Sequence, residues 1–199
     1  MFQNCFSTLI VIMLITNLSG IFGCFGSDDS DNEPTPFPQS MLDKELTAAI
    51  NKNVSDIYNQ NLAGKSTGNK DETFSCPLGG EALLTGNVGY DKTHGITTVD
   101  LTYAMTDCMS ANTHTSGTNN INVSITLNGS LKWTGSFGND YTNTSSQAQG
   151  LQISGTATHT RYEAATIDQT CDFSASTSYS GSSGSVTAIL CGRDASWSW

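Results

Sequence analysis

Apolar and polar residues alternate along most of the chain after residue 73. Val99, Leu101 and Tyr103 are separated by polar residues, and Ile121 and Val123 begin a second series of the same kind. Strict alternation buries one face of a strand and exposes the other, which is typical of antiparallel sheets. The pattern predicts about seven strands, within residues 83–88, 99–105, 121–127, 131–137, 151–160, 167–179 and 186–191. We therefore expect a mainly β fold, an antiparallel meander that forms a sandwich or a barrel.

The composition of the chain favours this fold and disfavours one class of partner. Charged residues make up 13% of the 199 residues, and Ser, Thr, Asn and Gly dominate the second half. Thr is β-branched, and Ser and Asn compete with helical hydrogen bonds, so this composition suits strands and turns. The net charge is −10, and basic residues are scattered singly between Lys44 and Arg193. No nucleic acid is expected as a partner, because phosphate backbones need clustered Lys and Arg.

The turn between residues 127 and 131 fixes the register of two predicted strands. A two-residue turn at Asn128 and Gly129 would set apolar residues of one strand opposite polar residues of the next. A three-residue turn that includes Ser130 instead pairs Leu127 with Leu131, and all apolar residues then share one face. We expect the longer turn, or a bulge with the same effect. Further turns are predicted within 91–95, 138–146 and 181–184.

An amphipathic helix is predicted over residues 40–64. Ser40 is the expected N-cap, Asp43 is placed as in a capping box, and Gly64 provides the stop. The apolar residues recur at helical spacing, which predicts that one face packs on the sheet; they are Leu42, Leu46, Ala49, Ile50, Val54, Ile57, Tyr58 and Leu62. We expect residues 65–72 to form a polar linker and residues 73–199 to form the β domain.

The N-terminal part of the chain has the features of an export signal. An apolar run from Leu9 to Ile15 is followed by Ile21-Phe22-Gly23-Cys24. This segment resembles the lipobox of bacterial lipoproteins, in which the Cys becomes the acylated first residue of the mature chain. The resemblance implies a signal peptide at 1–23, a palmitate-type acyl anchor on Cys24 and attachment to the membrane of a bacterial cell envelope. It further implies the outer membrane, because Phe25 rather than Asp follows the Cys. Residues 24–39 are acidic and rich in Pro, which predicts a tether.

Four cysteines remain once Cys5 is assigned to the signal and Cys24 to lipid, and an exported chain of this kind predicts two disulfides. A hairpin centred on Thr93 brings Cys76 close to Cys108. A loop at 180–182 places Cys171 opposite Cys191 and puts Cys191 on the same face as Ile189. We therefore favour Cys76–Cys108 and Cys171–Cys191 over the two other connectivities.

No catalytic, cofactor-binding or metal-binding residue is predicted. Ser183 lacks the second Gly of a nucleophile elbow, and Glu163 and Asp168 are better explained as acidic turn residues. The three histidines are far apart in the sequence, and we expect surface positions for them: His94, His114 and His159. The favoured function is a non-enzymatic envelope lipoprotein with a binding or structural role and no cofactor. The alternatives are a carrier of an apolar ligand in a β-barrel cavity, a small outer-membrane β-barrel, and a hydrolase with an unrecognised site.

Overall fold

The computed structural model describes residues 35–199 of the chain. This part contains one helix, α1 (Gln39–Asn61), followed by nine strands. The strands are β1 (Gly68–Ser75), β2 (Gly79–Asp91), β3 (Ile96–Ser116), β4 (Asn119–Phe137), β5 (Tyr141–His159), β6 (Tyr162–Ser180), β7 (Ser183–Leu190), β8 (Arg193–Asp194) and β9 (Trp197–Ser198). The predicted signal peptide, Cys24 and most of the predicted tether lie outside the described residues.

The strands form a single sheet in chain order. Each strand from β1 to β8 is antiparallel to the next, and β9 pairs with β7. The mainly β fold and the antiparallel meander with one helix packed on it are confirmed. In place of the predicted sandwich or barrel, the meander forms one continuous sheet that does not close.

The helix begins one residue earlier than predicted and is capped differently. Pro38 is the N-cap, and its carbonyl accepts hydrogen bonds from the N–H groups of Met41 and Leu42. The prediction of Ser40 as N-cap was wrong, because Ser40 already lies in the first turn. Asp43 makes no capping bond and is instead buried against Arg193. The helix ends at Asn61, and the following turn contains Gly64 at a φ of 73°.

Strand β4 replaces two predicted strands. The predicted hairpin turn at Asn128, Gly129 and Ser130 does not exist, because these residues lie in the middle of a 19-residue strand. Leu127 and Leu131 are both buried on the same face. A spacing of four residues returns a strand to the same face, so an uninterrupted strand satisfies the alternation as well as a hairpin does.

The polar segment predicted as a linker forms most of strand β1. Within this segment Lys70 is buried, and its ammonium group donates to the carbonyl oxygen of Ser66. The neighbouring Asp71 and Glu72 are exposed. Charged residues on an edge strand discourage pairing with other chains, so a polar sequence suits this position. The predicted turn at 138–146 is also shorter, because β5 begins at Tyr141.

The sheet is wide at one end and narrow at the other. Strand β2 ends its pairing with β3 at Met109, and β7 ends its pairing with β6 at Phe173. Beyond these points only β3, β4, β5 and β6 continue. The narrow part of the sheet therefore has four strands, with β3 and β6 as its edges.

Helix α1 fills the concave side of the sheet. Its residues Leu46, Ile50 and Ile57 are almost completely buried, and they share one apolar core with the inward-facing residues of the strands. The helix contacts β3 and β4 at the centre of the sheet and also β1, β7 and β8 near its edges. The helix thus occupies the space that a ligand would fill in a carrier with a hollow interior. Among residues 35–199, no helix is long and apolar enough to cross a membrane.

Candidate functional site

A line of irregular pairing crosses the sheet where it narrows. In β3, Thr106 and Asp107 form a bulge, and in β5 the bulge is formed by Gln149 and Gly150. Each bulge adds one residue to its strand and so reverses which residues face inward. Strand β3 buries odd-numbered residues up to Met105 and even-numbered residues from Cys108. The two bulges interrupt the sheet at the same height, and together they form a bulge line between the wide and the narrow part.

A side chain of a neighbouring strand stabilises each bulge. Asn128 of β4 accepts a hydrogen bond from the N–H of Asp107 at 2.8 Å, and its amide donates to the Asp107 carboxylate at 3.1 Å. Asp172 of β6 accepts from the N–H of Gly150 at 2.9 Å. Asp107 has a φ of 47°, a conformation that Asp and Asn tolerate better than other non-glycine residues. The bulges are therefore specified by particular side chains.

A disulfide lies at each end of the bulge line. The pairs are Cys76–Cys108 and Cys171–Cys191, with Cα atoms 5.3 and 5.0 Å apart, the two pairs favoured from the sequence. The predicted register of the second pair differs by one residue, because the β6–β7 turn has two residues and Phe173 pairs with Leu190. Ile189 consequently faces outward rather than inward.

An open groove runs along the bulge line on the outer face of the sheet, with a volume of about 610 Å³. Each of three strands contributes two polar side chains to it. The polar groove residues are Ser130 and Lys132 of β4, Gln147 and Gln149 of β5, and Asp172 and Ser174 of β6, and the groove is also lined by Ala148 and Phe173. The groove opens where regular pairing between β4 and β5 stops, between Asn128 and Leu131. This interruption leaves space that a regular ladder would close.

Both charged groups of the groove already have a partner in the protein. The ammonium group of Lys132 lies 3.1 Å from the carboxylate of Asp100, and both side chains are solvent-exposed. One carboxylate oxygen of Asp172 accepts the hydrogen bond from Gly150. The remaining side chains are amides and hydroxyls, which both donate and accept. The arrangement can form several hydrogen bonds with a neutral partner.

The three histidines lie in different places, each with its own contact. His94 lies 2.6 Å from Asp91 in the β2–β3 turn, and this hydrogen bond lowers the pKa of Asp91. His159 packs against Phe37 and Tyr162, with ring centroids 5.8 and 4.5 Å away. The structure therefore does not bring the histidines together. Among residues 35–199, no group of three metal-ligating side chains converges.

His114 connects the narrow part of the sheet to the helix. Its Nδ1 atom lies 3.2 Å from the Glu45 carboxylate, and this hydrogen bond raises the pKa of His114 despite partial burial of the ring. Because the pKa of His114 is higher in the folded state than in the unfolded chain, the charged pair stabilises the fold at pH values below about 6.5. This stabilisation disappears as the pH rises through the pKa of the folded state.

We therefore expect the free energy of unfolding to fall slightly as the pH rises above about 6.5 because of this pair. Urea titrations at several pH values measure the slope. Both His114→Gln and Glu45→Gln should flatten it by the same amount, because each removes one partner. A His114→Gln protein that keeps the full slope would show that another group is responsible.

The other candidate residues are also separated. Ser183 begins β7, Glu163 lies next to the β5–β6 turn, and Asp168 lies on the outer face of β6 opposite Ser154. The backbone N–H of Glu163 donates to the carbonyl of Thr35, so it helps to hold the chain that precedes the helix.

A partly buried ion pair joins the start of the helix to strand β8. Asp43 is 1% exposed, and Arg193 of β8 binds its two carboxylate oxygens at 2.7 and 2.8 Å. Gln39 donates to the same carboxylate at 2.8 Å. This hydrogen bonding raises the pKa of Arg193. The cluster fixes the helix against the edge of the sheet, and it is a structural rather than a binding feature.

The groove residues and Arg193 were not predicted from the sequence. The change of parity in the buried positions of β3 and β5 is hard to see in the sequence, because the buried positions include the polar residues Ser110, Thr144 and Ser146. The groove itself depends on which residues of three strands stand opposite one another. Comparison with protein-family models, curated proteins and solved structures finds no match to the chain.

Proposed function

We propose that this protein is a non-enzymatic, lipid-anchored protein of the bacterial cell envelope that binds a partner through the groove on its outer face. The observation that carries the binding role is the groove itself, in which three neighbouring strands present six polar side chains at a specified interruption of the sheet. Binding sites use a few convergent polar groups to orient a ligand, and rigid strands position such groups well. The two disulfides support an oxidising compartment, as does the lipobox-like sequence.

The binding role is tested by co-sedimentation with washed cell-envelope fragments of the protein that carries Cys24→Ser, which cannot be acylated and so cannot bind through a lipid anchor. Replacing Gln147 and Gln149 together by Ala should reduce the bound fraction several-fold, because two hydrogen-bonding side chains of the groove are lost. Gln152→Ala is the matched control, since Gln152 is an exposed amide on the same strand but outside the groove. Equal co-sedimentation of the double variant, the control and the unchanged protein would contradict the binding role.

The anchor is tested separately by the intact mass of the protein from the membrane fraction. We expect a chain that begins at Cys24 and carries a diacyl or triacyl modification, as the resemblance to the lipobox implies. Replacing Cys24 by Ser should remove this modification from the protein. A mature N-terminus at another residue would reject the lipid anchor and leave the groove to be judged by the binding experiment.

A further inference from the structure

The outer-face groove has a regular layout that defines the kind of ligand it fits. Lys132, Gln147 and Ser174 stand directly opposite one another in register and form one row across β4, β5 and β6. Ser130, Gln149 and Asp172 form a second row two residues away, at the bulge line. Strands lie about 4.8 Å apart and residues rise about 3.4 Å each, so the polar array spans roughly 10 Å by 7 Å.

The lining of the groove carries one charged group of each sign. It contains one ammonium group and one carboxylate, and each already has a partner in the protein, Asp100 for Lys132 and the N–H of Gly150 for Asp172. A phosphate or a polyanion needs clustered basic residues, but in this groove it would meet a single cation that already has a partner. The array therefore suits a neutral ligand with many donors and acceptors at close spacing.

An exposed aliphatic side chain adjoins the polar array. Ile189 of β7 stands opposite Ser174 in the same register row, faces outward and is 44% exposed. A ligand that lies along this row would place hydrogen-bonding groups over β4 to β6 and an apolar patch over Ile189. Sugar rings have this character, because each ring carries hydroxyl groups at its edges and C–H groups on its faces.

We infer that the groove binds a neutral oligosaccharide segment, one or two sugar rings long, with its hydroxyl groups on the two polar rows and a C–H face against Ile189. This inference rests on the binding role proposed above and adds the chemical class of the ligand. Because the groove is open and the interactions are hydrogen bonds to a solvated ligand, binding depends little on ionic strength.

The test is a titration of the full-length protein in detergent micelles with neutral tetrasaccharides of glucose, N-acetylglucosamine, mannose and galactose, followed through backbone amide NMR shifts. At least one of them should give saturable shifts at Lys132, Gln147, Gln149 and Ser174. Gln147→Ala and Ile189→Ser should each weaken the affinity about fivefold or more, which is the loss expected for one hydrogen bond or one apolar contact. Gln152→Ala should leave the affinity unchanged.

Two results would overturn the inference. The first is the absence of saturable groove shifts with all four tetrasaccharides. If the Gln147 and Gln149 double variant still loses envelope binding in that case, the proposed binding role stands and only the ligand class is rejected. The second is tighter binding of oligogalacturonate than of every neutral tetrasaccharide, with strong weakening by salt, which would show that the groove selects an anion.

Discussion

Replacing Gly155 by Ala should lower the free energy of unfolding by about 3 kcal/mol or more, because a Cβ at this position cannot be accommodated. Gly155 of β5 has a φ of 148°, and an added Cβ would lie 2.0 Å from the carbonyl oxygen of Ser124 and 3.0 Å from the Cα of Ile125. Both atoms belong to the backbone of β4, so no side-chain rotation relieves the overlap. Glycine kinks of this kind give a sheet the curvature that lets it wrap a helix.

The matched control is Gly181→Ala in the turn between β6 and β7. Gly181 also has a positive φ, 64°, but a Cβ there meets no atom within 4 Å. The control measures the cost of a left-handed φ without a steric contact, which is about 1 kcal/mol. Urea denaturation of the two variants and the unchanged protein gives both values. Equal losses for Gly155→Ala and Gly181→Ala would show that the contact with β4 relaxes and that Gly155 is not a kink.

The alternation of residues predicted the fold class correctly, but not the number of strands. Ile121, Ile125 and Leu131 all carry odd numbers, as do the apolar residues up to Phe137, so one unbroken strand explains the whole series. Asn-Gly is the strongest short-range hairpin motif, and it was therefore interpreted as a turn. In the structure Asn128 has another role, because its amide stabilises the bulge at Asp107. A local motif was overridden by a tertiary contact with the preceding strand.

The candidate site was harder to predict than the fold. Its six polar residues are ordinary outward-facing positions of a sheet, and nothing in their spacing along the chain marks them. They converge because a bulge in β5 changes the register between β4 and β6. Arg193 was missed for a similar reason, since its partner Asp43 is 150 positions away in the sequence and was assigned to helix capping. The groove follows from strand register, which the sequence alone specifies weakly in polar strands, and the ion pair follows from the way the helix packs on the sheet.

The two disulfides have similar loops but different surroundings, and this predicts unequal roles. The pairs are separated by 32 and 20 residues, so restriction of the unfolded chain should contribute about 3 to 4 kcal/mol for each. Cys76 and Cys108 are buried in the core, and the buried Asn53 of α1 places its amide nitrogen 3.5 Å from the Cys108 sulfur. Cys171 and Cys191 are only partly buried.

Replacing Cys76 and Cys108 together by Ala should therefore destabilise the protein more than replacing Cys171 and Cys191. The first change removes the loop restriction and also leaves the Asn53 amide buried without the sulfur contact, which adds about 1 kcal/mol or more. We expect a total loss near 5 kcal/mol for the first pair and near 3 kcal/mol for the second. Urea denaturation of the two double variants measures both values.

Asn53→Leu, introduced into each background, separates the two contributions. The substitution should cost stability when Cys76 and Cys108 are bonded, but much less when both are Ala, because the amide then has no sulfur partner to lose.

Mild reduction followed by thiol alkylation and peptide mapping should label Cys171 and Cys191 first, since a reductant reaches partly exposed sulfur atoms more readily than buried ones. Labelling of Cys76 and Cys108 first would mean that the helix does not shield this end of the bulge line, and it would remove the reason for expecting unequal effects.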